Sequence, residues 1–226
     1  MMYYFESKCT NPEYNLALEE YLCGFGREMF MLWRNKPSVI IGRFGVVNDE
    51  VDTKFAEAEG IRIVRRNSGG GAVYHDLGNV NYSFILRDSK KFTLEHFARI
   101  IMRTLEAIGI NSRLDFRHND ILADGLKISG SAQYHHEGII LHHGTLLFDS
   151  DLNIIPRVLK RSGNVANIRP LLKNDMNVEK FMRTLADNIG ETKNFQLPKN
   201  EDVEKLLRLK YSNPKWNMEG VKIDNL

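Results

Sequence analysis

The sequence contains very little cysteine. Its two cysteines, Cys9 and Cys23, cannot build a disulfide framework. It also has no surplus of charge: 31 Lys and Arg against 29 Asp and Glu give a net charge of +2, which offers no electrostatic case for nucleic-acid binding. No stretch reaches the roughly 20 apolar residues of a membrane helix. Residues 1–6 lack the basic and apolar regions of a signal peptide. These absences predict a cytoplasmic protein that binds neither nucleic acid nor a membrane.

What remains is the composition of an ordinary globular protein, with 42% hydrophobic and 27% charged residues among 226. This length predicts one domain with a substantial core over residues 1–226, or one domain with a small appendage. Hydrophobic alternation predicts strands at 2–5, 29–33, 38–41, 61–65, 72–75, 81–86, 113–116, 120–123, 131–135, 139–143 and 145–148. Helical periodicity and capping residues predict helices after Asn11 and Thr93 and over 52–59, 151–159, 178–189 and 200–210. Because strands and helices do not alternate strictly, the fold class expected is α+β, with mixed or antiparallel sheets flanked by helices.

Three consecutive glycines, Gly69 to Gly71, follow Arg65 and Arg66 at the end of a predicted strand. Glycines let main-chain N–H groups approach an anion closely, and arginine side chains can pair with a phosphate or carboxylate. The loop matches neither a P-loop nor a dinucleotide fingerprint, because no Gly-Lys-Ser/Thr follows and the next predicted element is a strand. A flexible hairpin loop with solvated arginines is the alternative interpretation.

A second cluster lies around Lys127, among the small residues of 125–132. A lysine with small neighbours can place its charge on an oxyanion or phosphate within a cleft, although a surface lysine at a hairpin turn has the same pattern. Asp120 is a candidate ligand for a Mg²⁺ ion that bridges phosphates, or alternatively a turn residue.

Segment 135–143 contains five side chains that could bind a metal ion, namely His135, His136, Glu137, His142 and His143. The segment is predicted to be a strand, so it does not present the helical His pair of a zinc site. Alternation along a strand places His142 and His143 on opposite faces, which predicts one in a pocket and its neighbour in solvent.

Taken together, these segments resemble the lipoate–protein ligase family, in the superfamily shared with biotin ligases and octanoyltransferases. The matching motifs are Arg65-Arg-Asn-Ser-Gly-Gly-Gly-Ala-Val-Tyr-His-Asp76 with Gly78-Asn79, then Asn119-Asp-Ile121, Lys127-Ile-Ser-Gly-Ser-Ala132 and His142-His-Gly-Thr-Leu-Leu147. The segment Asn15-Leu-Ala-Leu-Glu-Glu20 fits as well. The resemblance extends over nearly the whole chain and implies the catalytic-domain fold of that superfamily.

The resemblance also implies a reaction in two steps. Lipoate and ATP, with Mg²⁺, give lipoyl-AMP and pyrophosphate, and a lysine of an acceptor lipoyl domain then takes the lipoyl group. The acceptor implied is a 2-oxoacid dehydrogenase subunit or a glycine-cleavage H-like protein. Fixed cations and main-chain N–H groups are the tools that such crowded negative charge requires.

The family's motif positions imply roles for individual residues. Lys127 is expected to contact both the acyl carbonyl and the adenylate phosphate, and Asp120 to hold Mg²⁺. The remaining ATP-binding or adenylate-binding residues are expected to be Arg66, Gly71, Ala72, Val73 and Tyr74. The remaining lipoate-binding residues are expected to be Ser68, Gly69, Gly70, His75 and His143.

In many bacterial members of the family, an accessory domain follows a signature similar to the one at 210–220, and the resemblance implies that this domain is absent here. A chain that manages without such a domain is one alternative. A separate accessory subunit, or transfer from preformed lipoyl-AMP alone, is therefore expected. An octanoyltransferase needs a cysteine in the later half of the domain, and none follows Cys23. A biotin ligase fits the glycine motif less well, and a non-catalytic lipoate-binding protein does not need Lys127.

Overall fold

A mixed eight-stranded sheet and a three-stranded sheet organise the computed structural model, which describes residues 1–197 and 200–223. The strands are β1 (Met2–Glu6), β2 (Met29–Trp33), β3 (Ser38–Ile41), β4 (Arg62–Arg65), β5 (Val73–His75), β6 (Asn79–Arg87), β7 (Arg113–Asp115), β8 (Asp120–Ala123), β9 (Leu126–His136), β10 (Ile139–Leu147) and β11 (Thr192–Asn194).

The order of the large sheet is β11-β1-β2-β6-β10-β9-β8-β7, and that of the small sheet is β4-β3-β5. Strand β1 runs parallel to both of its neighbours, whereas the other pairs of the large sheet are antiparallel. In the small sheet, β3 pairs parallel with β4 and antiparallel with β5. This is the α+β fold class that the sequence predicts.

Seven α-helices surround the sheets within the described residues: α1 (Pro12–Gly24), α2 (Val47–Glu50), α3 (Thr53–Ala58), α4 (Leu94–Ala107), α5 (Ile155–Val158), α6 (Val178–Asn188) and α7 (Glu201–Leu206). Side-chain caps fix several starts, because Asn11, Asp52, Thr93 and Asn177 each accept a hydrogen bond from a first-turn N–H group. A 3₁₀ turn covers Arg169–Leu171, and π-helical turns cover Leu207–Tyr211 and Lys215–Glu219. None of the helices in the described residues is both long enough and apolar enough to cross a bilayer.

Helices α4 and α6 pack on one face of the large sheet, and α1 packs on the other face together with the 207–216 segment. The small sheet and α3 and α5 share a third core around Val39, Ile41 and Val158. The central strands are consequently buried on both faces: every residue of β2 is buried, and β6 is exposed only at Arg87. Their side chains are therefore available to line an interior site rather than the surface.

Several elements differ from the sequence-based expectation. Gly144 continues the ladder opposite Tyr82 and Ser131, so the two strands expected at 139–148 form one strand, β10. The expected helix at 151–159 is reduced to α5, because Asp151 Oδ1 accepts from the Asn153 N–H and holds a turn instead. The expected domain, 1–226, includes residues 198–199 and 224–226, which lie outside the described residues.

The segment 207–220 is tied to the end of β4 by the buried side chain of Arg65. Arg65 donates from Nε to the carbonyl of Trp216 at 2.8 Å and from Nη1 to the carbonyls of Gly42 and Gly45 at 2.9 and 2.8 Å. The main chain of Arg65 is bound by the same segment: Trp216 Nε1 donates to the Arg65 carbonyl, and Asn217 Oδ1 accepts from the Arg65 N–H. One guanidinium thus satisfies carbonyls from two separate stretches of chain, 42–45 and 216–218.

We expect Arg65→Lys to lower the free energy of unfolding by about 3 kcal/mol, because an ammonium cannot reproduce the planar fork and leaves buried carbonyls unpaired. Urea unfolding measures this loss. The matched control is Arg87→Lys at the exposed end of β6, for which a change below about 0.5 kcal/mol is expected. Equal unfolding midpoints for the two variants would contradict the role assigned to Arg65.

Candidate active site

A cavity of about 300 Å³ lies between the two sheets. Its walls come from the middle of β9 and β10, from β5, from α1 and from the glycine-rich loop 66–72. A second pocket of about 450 Å³ adjoins it, shares Gly70, Gly71, Ala72 and Arg161, and is lined further by the 44–50 segment. The loop 66–72 therefore separates two connected spaces.

The two ends of the cavity differ in burial and polarity. At the inner end, the wall consists of the buried side chains of Leu16, Trp33, Ile40, His75, Asn81 and His143. At the mouth, the wall is charged or polar and partly accessible, with Lys127, Asp120, His118 and Arg161. An inner end that combines apolar side chains with a few buried polar ones, and that opens on cations, suits an amphiphilic acid whose charged end stays near the mouth.

Lys127 extends across a glycine to reach the mouth. It is the second residue of β9, its side chain is 32% exposed, and its Nζ lies 2.9 Å from Asp120 Oδ1. A Cβ on Gly130 would lie 2.9 Å from that Nζ, so a larger residue there would displace the ammonium. The 164–166 segment borders the same residue, since the Lys127 N–H donates to the Asn164 carbonyl and the Lys127 carbonyl accepts from Ala166.

The glycine-rich loop is held from below by Arg66. Its guanidinium donates to the carbonyls of Ile40, Gly69 and Gly71 at 2.9, 2.6 and 2.9 Å, and from Nε to Ser68 Oγ at 2.9 Å. Burial lowers the pKa of Arg66 to about 10, so the group remains charged at neutral pH. Gly70 has a φ of +89°, which favours glycine. Arg66 thus fixes the loop's shape by turning its carbonyls inward.

A buried chain of polar side chains connects this loop to α1. Ser68 Oγ lies 2.6 Å from His143 Nε2, and His143 Nδ1 lies 2.9 Å from the carboxylate of Glu19. Glu19 also accepts from Ser83 Oγ at 2.5 Å, and Ser83 Oγ accepts from Trp33 Nε1 at 2.9 Å. The carboxylate therefore orients the imidazole that lines the cavity.

A second buried chain leads from α1 to His75. The Asn15 side-chain amide donates to the carbonyls of Cys9 and Arg34 and to Asn35 Oδ1, at 2.9, 3.1 and 2.9 Å. Asn35 Nδ2 lies 3.2 Å from His75 Nδ1. Asn15 and Glu19 are four residues apart, so they occupy the same buried face of α1 and support two different imidazoles.

Most of the residues predicted from the sequence line this one cavity: Arg66, Gly70, Gly71, Ala72, Val73, His75, Asp120, Lys127 and His143. Three others do not line it. Tyr74 alternates to the opposite face of β5 and packs in the core of the small sheet. Ser68 lies beneath the loop on His143, and the Gly69 carbonyl faces Arg66.

Arg65 and His142 depart from the expectations. Arg65 was expected to offer its guanidinium to an anion beside Arg66, but the strand turns it the other way, onto the carbonyls of 42–45 and 216–218. Of the two neighbouring histidines, His143 lines the cavity, but His142 is not solvated. It is fully buried and stacks on Phe97 with a centroid separation of 4.3 Å. Both faces of β10 are covered, because α4 packs on the face that carries His142. The side chain that alternates away from the cavity therefore enters the core and not solvent.

The supporting residues were missed by sequence reasoning. Asn15 and Glu19 belong to a segment that fits the family, but no role was assigned to either, while Asn35, Arg161 and His118 belong to no motif. The available signal was the spacing of Asn15 and Glu19 along the apolar face of α1, since buried polar side chains on a helix require partners.

Comparisons with known proteins agree with this geometry. The family described as "Lipoyl protein ligase A/B catalytic domain" matches residues 11–190. The chain is 34% identical to the lipoate-protein ligase LplJ of Bacillus subtilis, over 96% of this chain and 73% of that protein.

Solved structures are similar throughout the chain. A putative lipoate protein ligase from Thermoplasma acidophilum with bound lipoic acid has a TM-score of 0.84 at 28% identity, covering 96% of this chain and 98% of that one. A lipoate-protein ligase A bound with ATP has a TM-score of 0.83 at 29% identity, covering 97% and 98%. A bi-partite archaeal ligase, studied with its E2 lipoyl domain, has a TM-score of 0.84 at 25% identity, covering 100% and 98%.

Buried neutral imidazoles give the fold a pH dependence. Burial, and then the nearby charge of Arg66, lower the pKa of His75 to about 3, and burial holds the pKa of His142 well below its ordinary value. Unfolded, both residues titrate near pH 6.5. Below that pH the unfolded chain binds protons that the folded chain does not, so stability falls as the pH falls.

Replacing the imidazole of His142 should remove its share of that loss, so between pH 6.5 and 5 the unfolding free energy of His142→Phe should fall less than that of the unaltered chain, by about 1 kcal/mol per pH unit. Urea unfolding at several pH values measures the slope. Phe148→Leu, in the same core, is the control: it lowers stability at every pH without changing the slope. A slope in His142→Phe equal to that of the unaltered chain would refute this origin of the pH dependence.

Proposed function

The chain belongs to the lipoyl protein ligase A/B catalytic domain family, and we propose that it activates lipoate with ATP and transfers the lipoyl group to a lysine of an acceptor lipoyl domain. The observation that carries this proposal is the cavity with an apolar inner end and Lys127 at its mouth. A carboxylic acid with a long apolar chain fits such a space with its carboxylate beside the ammonium. Lipoic acid in the similar Thermoplasma structure and ATP in the similar ligase A structure support both substrates.

Lys127 is the proposed catalytic residue of both half-reactions. In the first, a lipoate carboxylate oxygen attacks the α-phosphorus of ATP and pyrophosphate leaves. In the second, the amine of the acceptor lysine attacks the acyl carbon, AMP leaves, and the amide nitrogen loses a proton. Negative charge builds up on the phosphoryl oxygens and then on the acyl oxygen, and a fixed ammonium stabilises both. Asp120 orients Lys127 until the substrates compete for it.

The loop 66–72 is proposed to hold the substrates on both of its sides. Gly71, Ala72 and Val73 face the nucleotide, and Tyr74 contributes only through its main chain. The Ala72 N–H is already committed to Glu50 Oε2 at 2.6 Å, so Gly71 is the stronger candidate for a main-chain contact with phosphate. Arg66 acts beneath the loop by keeping its carbonyls turned away from the phosphates.

The lipoyl group is proposed to lie along the inner wall, against Gly70, His75 and His143. Ser68 and Gly69 then act through their neighbours, Ser68 by orienting His143 and Gly69 by accepting from Arg66. The apolar side chains of Leu16, Trp33 and Ile40 would cover the hydrocarbon.

Mg²⁺ is proposed to enter with the phosphates of ATP. Within residues 1–197 and 200–223, no group of three His, Cys, Asp or Glu side chains is placed to hold a metal by itself. One carboxylate, Asp120, lines the mouth, and magnesium is commonly held by one or two carboxylates plus substrate phosphates. That donor set fits an ion shared with a nucleotide, which would neutralise phosphate charge when bound.

The acceptor is proposed to be a lipoyl domain of a 2-oxoacid dehydrogenase subunit or a glycine-cleavage H-like protein. The similar archaeal ligase, studied with its E2 lipoyl domain, supports the first of these. That ligase is bi-partite, and the present chain covers 98% of the matched chain. We therefore propose that a separate accessory subunit assists this chain in the activation step.

A cysteine-dependent acyl transfer receives no support from the site. Cys9 and Cys23 do not line the cavity. Burial raises the pKa of the Cys23 thiol, so little thiolate is present at neutral pH, and its Sγ already donates to the Glu19 carbonyl at 3.3 Å.

We expect Lys127→Ala to slow transfer from preformed lipoyl-AMP to a lipoyl domain by at least about 100-fold, because one fixed donor to a developing oxyanion typically contributes that much. Mass spectrometry of the acceptor measures the rate. Lys193→Ala, exposed on β11, is the matched control and should keep the original rate. Transfer at the original rate by folded Lys127→Ala protein would refute the role of Lys127.

The accessory-subunit proposal has its own test. Pyrophosphate release from lipoate and ATP is measured with the chain alone, beside transfer from preformed lipoyl-AMP. We expect activation by the chain alone to be at least about tenfold slower than transfer, which corresponds to a difference of about 1.4 kcal/mol between the two activation free energies. Activation as fast as transfer, with no second protein present, would refute the need for a subunit.

A further inference from the structure

Two buried polar groups at the inner end of the cavity have no hydrogen-bond partner among the described residues. They are His75 Nε2 and Asn81 Nδ2. His75 is 3% exposed and Asn81 1%, and both line the cavity wall among apolar side chains. Buried polar groups are normally paired, and an unpaired one carries a free-energy penalty. Both groups are therefore placed to meet a polar atom of whatever occupies this end.

The direction of hydrogen bonding to His75 is set by main-chain carbonyls. The carbonyls of Cys9 and Arg34 can only accept, so the Asn15 group that faces them is its NH₂. The two hydrogens of that NH₂ are shared among these carbonyls and Asn35 Oδ1, because a second NH₂ facing it would be repelled; this leaves Asn35 Nδ2 as the donor toward His75 Nδ1. Nδ1 must then accept, and the proton of the ring belongs to Nε2.

The imidazole is neutral, because burial and the charge of Arg66 lower its pKa to about 3. A neutral ring has one N–H group, and here it is the Nε2–H, which has no partner among the described residues on a side chain that lines the cavity. Asn81 offers a second donor on the same wall, because its Oδ1 accepts from Asn79 Nδ2 at 2.7 Å and its own Nδ2 has no partner among the described residues.

We propose that His75 determines specificity for the acyl chain: its Nε2–H, oriented by Asn15 and Asn35, donates to an acceptor atom at the distal end of the bound acid. This inference rests on the proposed function, which places the carboxylate at the mouth and the distal end inside. The dithiolane sulfurs of lipoate have lone pairs that accept weak hydrogen bonds. The terminal methyl of octanoate has none and would leave the donors buried and unpaired.

A site built to donate a hydrogen bond discriminates against an analogue that lacks the acceptor. The cavity is therefore selective for a ring-bearing acid over a plain fatty acid of similar length. In this arrangement Asn15 and Asn35 are positioning residues, since they act only through the tautomer of His75.

Calorimetric titration of the full chain with lipoate and with octanoate, without ATP, tests this directly. We expect the unaltered chain to bind lipoate about tenfold more tightly. His75→Phe removes the donor but keeps a ring, so the ratio of its dissociation constants for octanoate and lipoate should approach one. His75→Gln returns an NH₂ to the same wall and should retain most of the preference. His135→Phe, an exposed site of β9 outside the cavity, is the matched control and should behave as the unaltered chain.

The positioning role is tested by ¹⁵N NMR of the histidine-labelled chain, with the His75 signals assigned by their loss in His75→Gln. We expect the Nε2–H tautomer in the unaltered chain and a mixture of tautomers in Asn35→Leu. The ratio of the octanoate and lipoate dissociation constants should also be smaller in Asn35→Leu. An Nδ1–H tautomer in the unaltered chain overturns the inference, whether or not His75→Phe folds. An unchanged ratio in folded His75→Phe protein also overturns it.

Failure of the inference and failure of the proposed function are distinguishable. If the unaltered chain binds both acids equally, the specificity role of His75 is wrong while the proposed function stands. If it binds neither acid, the proposed function is wrong, and the inference is overturned with it.

Discussion

The buried carboxylate of Glu19 is the group on which the arrangement of the site depends. It is almost fully excluded from water and reaches the glycine-rich loop in three hydrogen-bonded steps, through His143, Ser68 and Arg66. A buried charge is stable only when its partners are in place, and removing one partner leaves the others uncompensated. Helix α1, the large sheet and the loop are thereby held in a single relative arrangement.

This arrangement explains why the cavity lies between the two sheets. The small sheet supplies Arg66 and His75, and the large sheet supplies Lys127 and His143, while α1 connects both from behind. Neither sheet alone has both an apolar wall and a cation at the mouth. Behind this wall, the polar side chains of Asn15, Glu19 and Ser83 are each hydrogen-bonded to a neighbour.

Much of the fold could be predicted from the sequence, because it follows local patterns. The apolar spacing of 94–108 gives α4, and alternation gives β9 and β10. The glycine loop and Lys127 were found by their motifs. The supporting network could not be found in this way, because Asn15, Glu19 and Asn35 are polar residues whose burial depends on contacts distant in sequence.

Arg65 and Arg66 are the clearest case of this limit. The two residues are chemically identical and adjacent, and no property of the sequence separates them. Alternation at the end of β4 turns one toward the 207–220 segment and the other beneath the loop. Their different environments arise from tertiary structure alone.

The long sequence separations within these contacts have a consequence for how the protein folds. Glu20 accepts from Lys210 Nζ, and that same Nζ donates to Asn67 Oδ1 beside the loop, so contacts across 190 and 143 residues meet at one atom. Such contacts form only after the intervening chain has been ordered, and loop-closure entropy makes them late. During synthesis from the N-terminus, Arg66 can hold the loop's carbonyls early, but the hydrogen bond from Lys210 to Asn67 forms only when residue 210 has emerged from the ribosome.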